Sequence, residues 1–111
     1  MTKKQTKAQR LFNHSFYAAL SHIEVWGMKS FGAWSSLHDG TDEVICRRTV
    51  NAILKECDKR ERSIALDRRL GLIAEAEASK LHKAVEVVRN TCAGWIRKDE
   101  EWKDYLKSLT A

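Results

Sequence analysis

A chain of 111 residues with 20 Lys and Arg against 15 Asp and Glu, 43% hydrophobic residues, 5 Gly and no Pro has room for one small core, because soluble domains cluster at roughly 100–150 residues and a chain of this size buries about two-thirds of its unfolded surface. A two-domain enzyme is excluded. So are turn-rich β-sandwiches and barrels, which use Pro and Gly as punctuation; the composition points to long helices in a single domain over 1–111.

The chain opens on a basic tail of about eight residues: Lys3, Lys4, Lys7 and Arg10 appear before any acid. Behind it Asn13, His14 and Ser15 break the apolar stretch, so no signal-peptide core forms. His22, Glu24 and Lys29 interrupt the best approach to the about 18 apolar residues that a membrane span needs, and no membrane partner is expected. From Phe12 the apolar positions Phe16, Ala19/Leu20, Ile23, Trp26, Ser30/Phe31 and Trp34 follow in steps of three and four, which predicts a first helix over about 7–35. Gly27 and Gly32 fall inside it or near its end, each costing roughly 1 kcal/mol against Ala.

Asp39-Gly40 is the one strong turn signal, and Thr41 is the expected N-cap of a second helix, with Asp42 and Glu43 at the positive end of its dipole. Cys46, Val50, Ile53, Leu54, Cys57 and Ile64 share one face of that helix. Past Ile64 the register slips, and the chain is expected to turn, kink or change packing partner between Lys59 and Gly71. From Leu70 the pattern resumes through Leu81, Val88, Cys92, Trp95, Trp102, Leu106 and Leu109, interrupted by Glu77. This is either one helix of about 40 residues or two with a joint near 91–94. The single helix would span about 60 Å, so a break or a partner chain is implied. Three or four helices around one Gly-containing turn read as a small antiparallel helical bundle, all-α.

Catalytic patterns are weak. The sequence has no Gly-rich phosphate loop, no HExxH, no GxSxG and no paired Asp/Glu-x-x-His. His14, His22, His38 and His82 are too scattered for local metal spacing. Cys46, Cys57 and Cys92 are odd in number and lack CxxC spacing, which fits reduced core thiols in a cytoplasmic protein better than a disulfide framework or zinc knuckle. A nucleophile pair of Cys92 with His82 or His22 would have to assemble in three dimensions, and buried thiols beside surface imidazoles are the simpler reading. The expectation is a protein without catalytic residues, metal or cofactor.

Charge carries more information. On the second helix Arg48, Lys55, Lys59 and Arg62 lie within about 60° of one another at 100° per residue, opposite the core face. Arg69 joins them if the helix runs on, with Arg47 and Arg68 beside the ridge. The span from Arg48 to Arg62 is about 21 Å, enough to pass several phosphates, each of which releases a counterion when neutralised. An ordinary solvated face would look similar, with Glu56–Arg60 and Asp58–Arg62 as i,i+4 staples. The four tryptophans, Trp26/Trp34 and Trp95/Trp102, continue apolar stripes and would fill a bundle core. Alternatively Trp95, Trp102, Tyr105 and Leu106 form a surface that joins copies of the chain or a larger partner. Two functions follow from these readings. The first is a non-catalytic accessory subunit that binds the RNA or DNA backbone, within an oligomer or ribonucleoprotein complex, through Lys3, Lys4, Lys7, Arg10, Arg47, Arg48, Lys55, Lys59, Arg62, Arg68 and Arg69. The second is an adaptor or inhibitor of phage or mobile-element type that docks a helix face on a larger protein.

Overall fold

Thr6 starts the first helix, α1 (Lys7–Trp26). Its hydroxyl accepts from the Gln9 backbone N–H at 3.1 Å while Gln9 Oε1 accepts from the Thr6 N–H at 3.0 Å, so two otherwise orphaned donors are satisfied reciprocally. The structure, a computed structural model, describes residues 5–27 and 45–110. α1 ends well before residue 35. Gly27 sits at φ +81°, in the left-handed region, and its N–H closes on the Ile23 carbonyl at 2.8 Å. The expected helical residues 28–35, Trp34 among them, and the expected cap Thr41 lie outside the described residues.

α2 (Arg47–Arg69) has Cys46, not Thr41, as its N-cap, in extended conformation and with no side-chain cap bond. The slip in register past Ile64 does not break it. The helix continues to Arg69, and the off-face residues Leu66 and Leu70 are simply exposed, at 44% and 62%. The turn comes at Gly71, φ +75°, whose N–H donates to the Arg68 carbonyl at 3.1 Å, while the Leu72 N–H reaches the Asp67 carbonyl at 2.9 Å. Arg68 and Arg69 stand at the negative end of the α2 dipole.

α3 (Glu75–Thr110) is one unbroken helix of 36 residues. Gly94 lies inside it with no positive φ, and Thr91 turns its hydroxyl back to the Val87 carbonyl at 2.8 Å, so neither residue makes the joint that the sequence left open. At 1.5 Å per residue α3 is about 54 Å long, and it sets the 58 Å long axis of the molecule.

The three helices pack pairwise as a small all-α bundle. α3 is antiparallel to α2: Arg47 at the start of α2 approaches Asp99 and Glu100, while Arg68 at its end approaches Glu75. The core is one cluster, built from Leu11, Phe12, Phe16, Ala19 and Ile23 of α1, Val50, Ile53, Cys57 and Ile64 of α2, and Ala84, Val85, Val88 and Cys92 of α3. Two expected core aromatics are outside it. Trp26 is 65% and Trp102 57% exposed, and Trp95 is only partly buried against the cluster. The physical reason for Trp102 is length: α3 continues past the start of α2, and all of residues 101–110 are exposed. No described helix is long and apolar enough to cross a membrane.

Cys57 and Cys92 are fully buried, and loss of hydration pushes both thiols up to about 12 from an ordinary 9.0. Each thiol therefore keeps its proton longer in the folded chain than in the unfolded one. The stability this contributes is whole below about pH 9 and is lost as pH rises towards 12. The melting temperature, followed by circular dichroism, should fall between pH 9 and 11, and replacing both residues by Ala should lower it at neutral pH but flatten that slope. Exposed Cys46 should react with a thiol reagent in the native state, and the two buried thiols only on unfolding.

Candidate nucleic-acid interface

α2 presents its solvent face because its core positions, Val50, Ile53, Cys57 and Ile64, are pinned against α1 and α3. Arg48, Lys55, Lys59, Arg62 and Arg69 all project on the exposed side. Among the described residues Arg48, Lys55, Arg62 and Arg69 form no ion pair, and Lys59 makes a long contact of 3.4 Å with Glu56. Arg47 and Arg68 stand apart from this row. Arg47 leans to α3, 3.6 Å from Glu100 and 3.8 Å from Asp99, and Arg68 lies 3.8 Å from Glu75. Lys7 and Arg10 are on α1, each with an interaction of its own. Lys3 and Lys4 lie outside the described residues.

The staples expected within α2, Glu56–Arg60 and Asp58–Arg62, do not form. Glu56 pairs with Lys59 instead, and Asp58 is taken by Arg89 of α3. Arg89 holds two carboxylates at once, Glu61 at 2.7 Å and Asp58 at 2.8 Å, one from each of its terminal nitrogens. The hydrogen bond to Glu61, then the nearby carboxylate charges, raise its pKa further against the opposing effect of burial. Arg60, freed from Glu56, lies over the aromatic faces of Phe16 and Phe12, 5.1 and 5.8 Å from their centroids. Two of the acids that flank the ridge, Asp58 and Glu61, are thus neutralised from outside it, while Glu56 pairs with Lys59 of the ridge itself. Nothing in local sequence spacing signals Arg89, because it lies 28 and 31 residues from its partners.

Beside Lys59 a cavity of about 440 Å³ opens between α1 and α2, with the carboxamides of Gln5, Gln9 and Asn13 on one wall and Lys59, Arg60 and Ser63 on the other. Its lining offers hydrogen-bond donors and acceptors at the edge of the cationic row, and no Cys or His. Among the described residues no three His, Cys, Asp or Glu side chains stand close enough to hold a metal ion. Buried Cys92, its thiol pushed up to about 12, is in the wrong state for a nucleophile at neutral pH.

The second predicted surface is placed differently. Trp95 packs against the core, while Trp102, Tyr105 and Leu106 are 57%, 54% and 42% exposed on the projecting end of α3. Comparison of the chain with protein-family models, with curated proteins and with solved structures finds no match.

Replacing Arg89 with Gln should cost about 1 kcal/mol, less than the roughly 1.5–3 kcal/mol of a buried hydrogen bond to a charged group, because the side chain keeps 35% of its surface exposed. In a domain of this size that is roughly a 4–8 °C drop in melting temperature. An unchanged melting temperature would mean that the clamp does not tie α2 to α3.

Proposed function

We propose that the protein is a non-catalytic nucleic-acid-binding accessory subunit that acts in the cytoplasm within an oligomer or ribonucleoprotein complex and grips the RNA or DNA backbone with the exposed face of α2. One observation carries this reading. Arg48, Lys55, Arg62 and Arg69 line one helix face without ion-pair partners among the described residues, while the nearby carboxylates of Asp58 and Glu61 are engaged by Arg89 from another helix. A row of unneutralised cations at helical spacing is what a phosphate backbone rewards, since each contact releases a condensed counterion. It positions a duplex or single strand without reading bases, so weak sequence preference and strong salt dependence are its signature.

A second reading, an adaptor or inhibitor docking a helix on a larger protein, is favoured by a different observation. Trp102, Tyr105, Leu106 and Leu109 form an exposed apolar stripe on the last turns of α3, and aromatic residues of this kind are enriched at protein interfaces.

Replacing Arg48, Lys55 and Arg62 with Glu should weaken binding to RNA or DNA tenfold or more in a gel shift and reduce the slope of affinity against salt by roughly 3, about 0.9 per lost phosphate contact. All three side chains are exposed, so the helical content should hold. Binding that survives the triple substitution, or a wild-type chain that binds neither polymer at low salt, would exclude this reading and leave the adaptor.

A further inference from the structure

Where α1 begins, the sides that α1 and α2 turn to each other are largely polar. Gln9 and Asn13 follow Gln5 at steps of four along α1, and Glu56, Lys59, Arg60 and Ser63 follow at steps of three and four along α2, so each helix carries its set on one side. Between them lies the cavity of about 440 Å³, a volume within the roughly 300–1,000 Å³ of small-ligand sites. Phe12 is the buried member of its lining, and Arg60 stands over it. The Arg60 guanidinium lies 5.1 Å from the Phe16 centroid and 5.8 Å from that of Phe12. No carboxylate among the described residues pairs with it, because Glu56, one turn earlier, pairs with Lys59 at 3.4 Å. A planar cation held over aromatic rings keeps hydrogen-bond donors at its edge and a second face on which a flat ring can stack.

Hydrogen bonding selects the kind of ligand. Gln5, Asn13 and Ser63 make no side-chain hydrogen bond among the described residues, and Gln9 uses only its oxygen, in the Thr6 cap. Carboxamides and hydroxyls both donate and accept, and Glu56 adds a carboxylate to the lining. A phosphate inside the cavity would set its oxygens against that carboxylate and the carboxamide oxygens. An uncharged flat ring with donors and acceptors along its edge matches all of these groups, and Asn, Gln, Glu and Arg are the side chains that recognise nucleobase edges. The phosphate-binding charge stands at the rim. Lys59 belongs both to this lining and to the cationic row of α2, with Lys55 and Arg62 one turn to either side.

We propose that the cavity between α1 and α2 takes one unpaired nucleobase of the strand whose phosphates lie along α2, the base stacking on Arg60 and bonding at its edge to Asn13, Gln9 and Glu56, with the adjoining phosphate on Lys59. This rests on the nucleic-acid reading of the α2 row and narrows it. The row by itself does not distinguish a duplex from a single strand. The cavity does, because a paired base has its edge occupied and its faces stacked, whereas an unpaired base in a single strand or loop offers both.

The test compares a short mixed-sequence single strand with an abasic strand of the same length and charge, in DNA and in RNA form, by fluorescence anisotropy on the full-length chain. Wild type should bind the strand with bases about tenfold more tightly than the abasic one. Asn13→Leu with Ser63→Leu fills the cavity without changing charge or touching the α2 row. It should bring the affinity for the strand with bases down to that for the abasic strand, leaving the abasic affinity and its salt slope unchanged. Arg60→Gln, read by the same ratio of affinities, tests the stacking face, and circular dichroism checks that the helices persist in both variants. Equal affinity of wild type for the two strands, or a ratio that survives both variants, overturns the cavity as a base site and leaves the backbone reading standing. A wild type that binds neither strand at low salt overturns this inference together with the backbone reading. Binding of free nucleoside monophosphates in that case, lost in the variants, would assign the cavity to a mononucleotide and not to a strand.

Discussion

The rest of this structure depends on a mismatch of lengths. α3 has 36 residues, and the helices that cover it have 20 and 23. A helix buries only the stripe that another element covers, and its remaining turns stay in water whatever their side chains. The apolar stripe of α3 runs through Ala84, Val88 and Trp95 and continues on the same face to Trp102, Leu106 and Leu109. Burial stops where α2 begins. The core is consequently packed at the middle of the molecule and open at the end of α3, and this exposure is the physical basis for reading that end as an interface.

A second consequence is electrostatic. Since α2 and α3 are antiparallel, Arg89 lies beside Asp58 and Glu61, and Arg47 lies beside Asp99 and Glu100. These contacts redistribute charge across the helix pair. Arg89 lends its positive charge to Asp58 and Glu61 and leaves Arg48, Lys55, Arg62 and Arg69 of α2 without an ion-pair partner among the described residues. The short, doubly bonded Arg89 site is the stronger of the two, for the Arg47 contacts are near the limit of ion pairing and exposed, where such pairs contribute little. The field of α2 is therefore set by a residue of α3.

Much of the fold was legible in the sequence. The absence of Pro, the steps of three and four, and the slip of register between Lys59 and Gly71 describe long helices and the span in which one reversal falls, because these are local properties of backbone and side chain. The boundaries were less legible. Gly27 stops α1 although the apolar pattern runs past it, because its left-handed φ of +81° ends the helix, which side-chain periodicity does not record. Likewise the turn expected between Lys59 and Gly71 comes only at the end of that span, because α2 continues to Arg69 and leaves Leu66 and Leu70 in water. Of the two alternatives that the pattern left open, one long helix or two with a joint near Thr91–Gly94, the chain takes the first, because nothing local breaks the hydrogen-bond ladder and a long helix need not be covered along its whole length.

The candidate surface divides the same way. Sequence alone determined which cations share a face of α2, since that follows from 3.6 residues per turn, and it determined that the last turns of α3 are aromatic and acidic. Only the tertiary structure decided which of those charges are neutralised and which of those aromatics are covered. Both depend on what lies across a helix interface: Arg89 is 28 and 31 residues from the acids it binds, and Trp102 is exposed because α2 has no turn opposite it. Helical periodicity specifies a face from residues a few positions apart, but pairing and burial are set by contacts between residues that only the packing of the chain brings together.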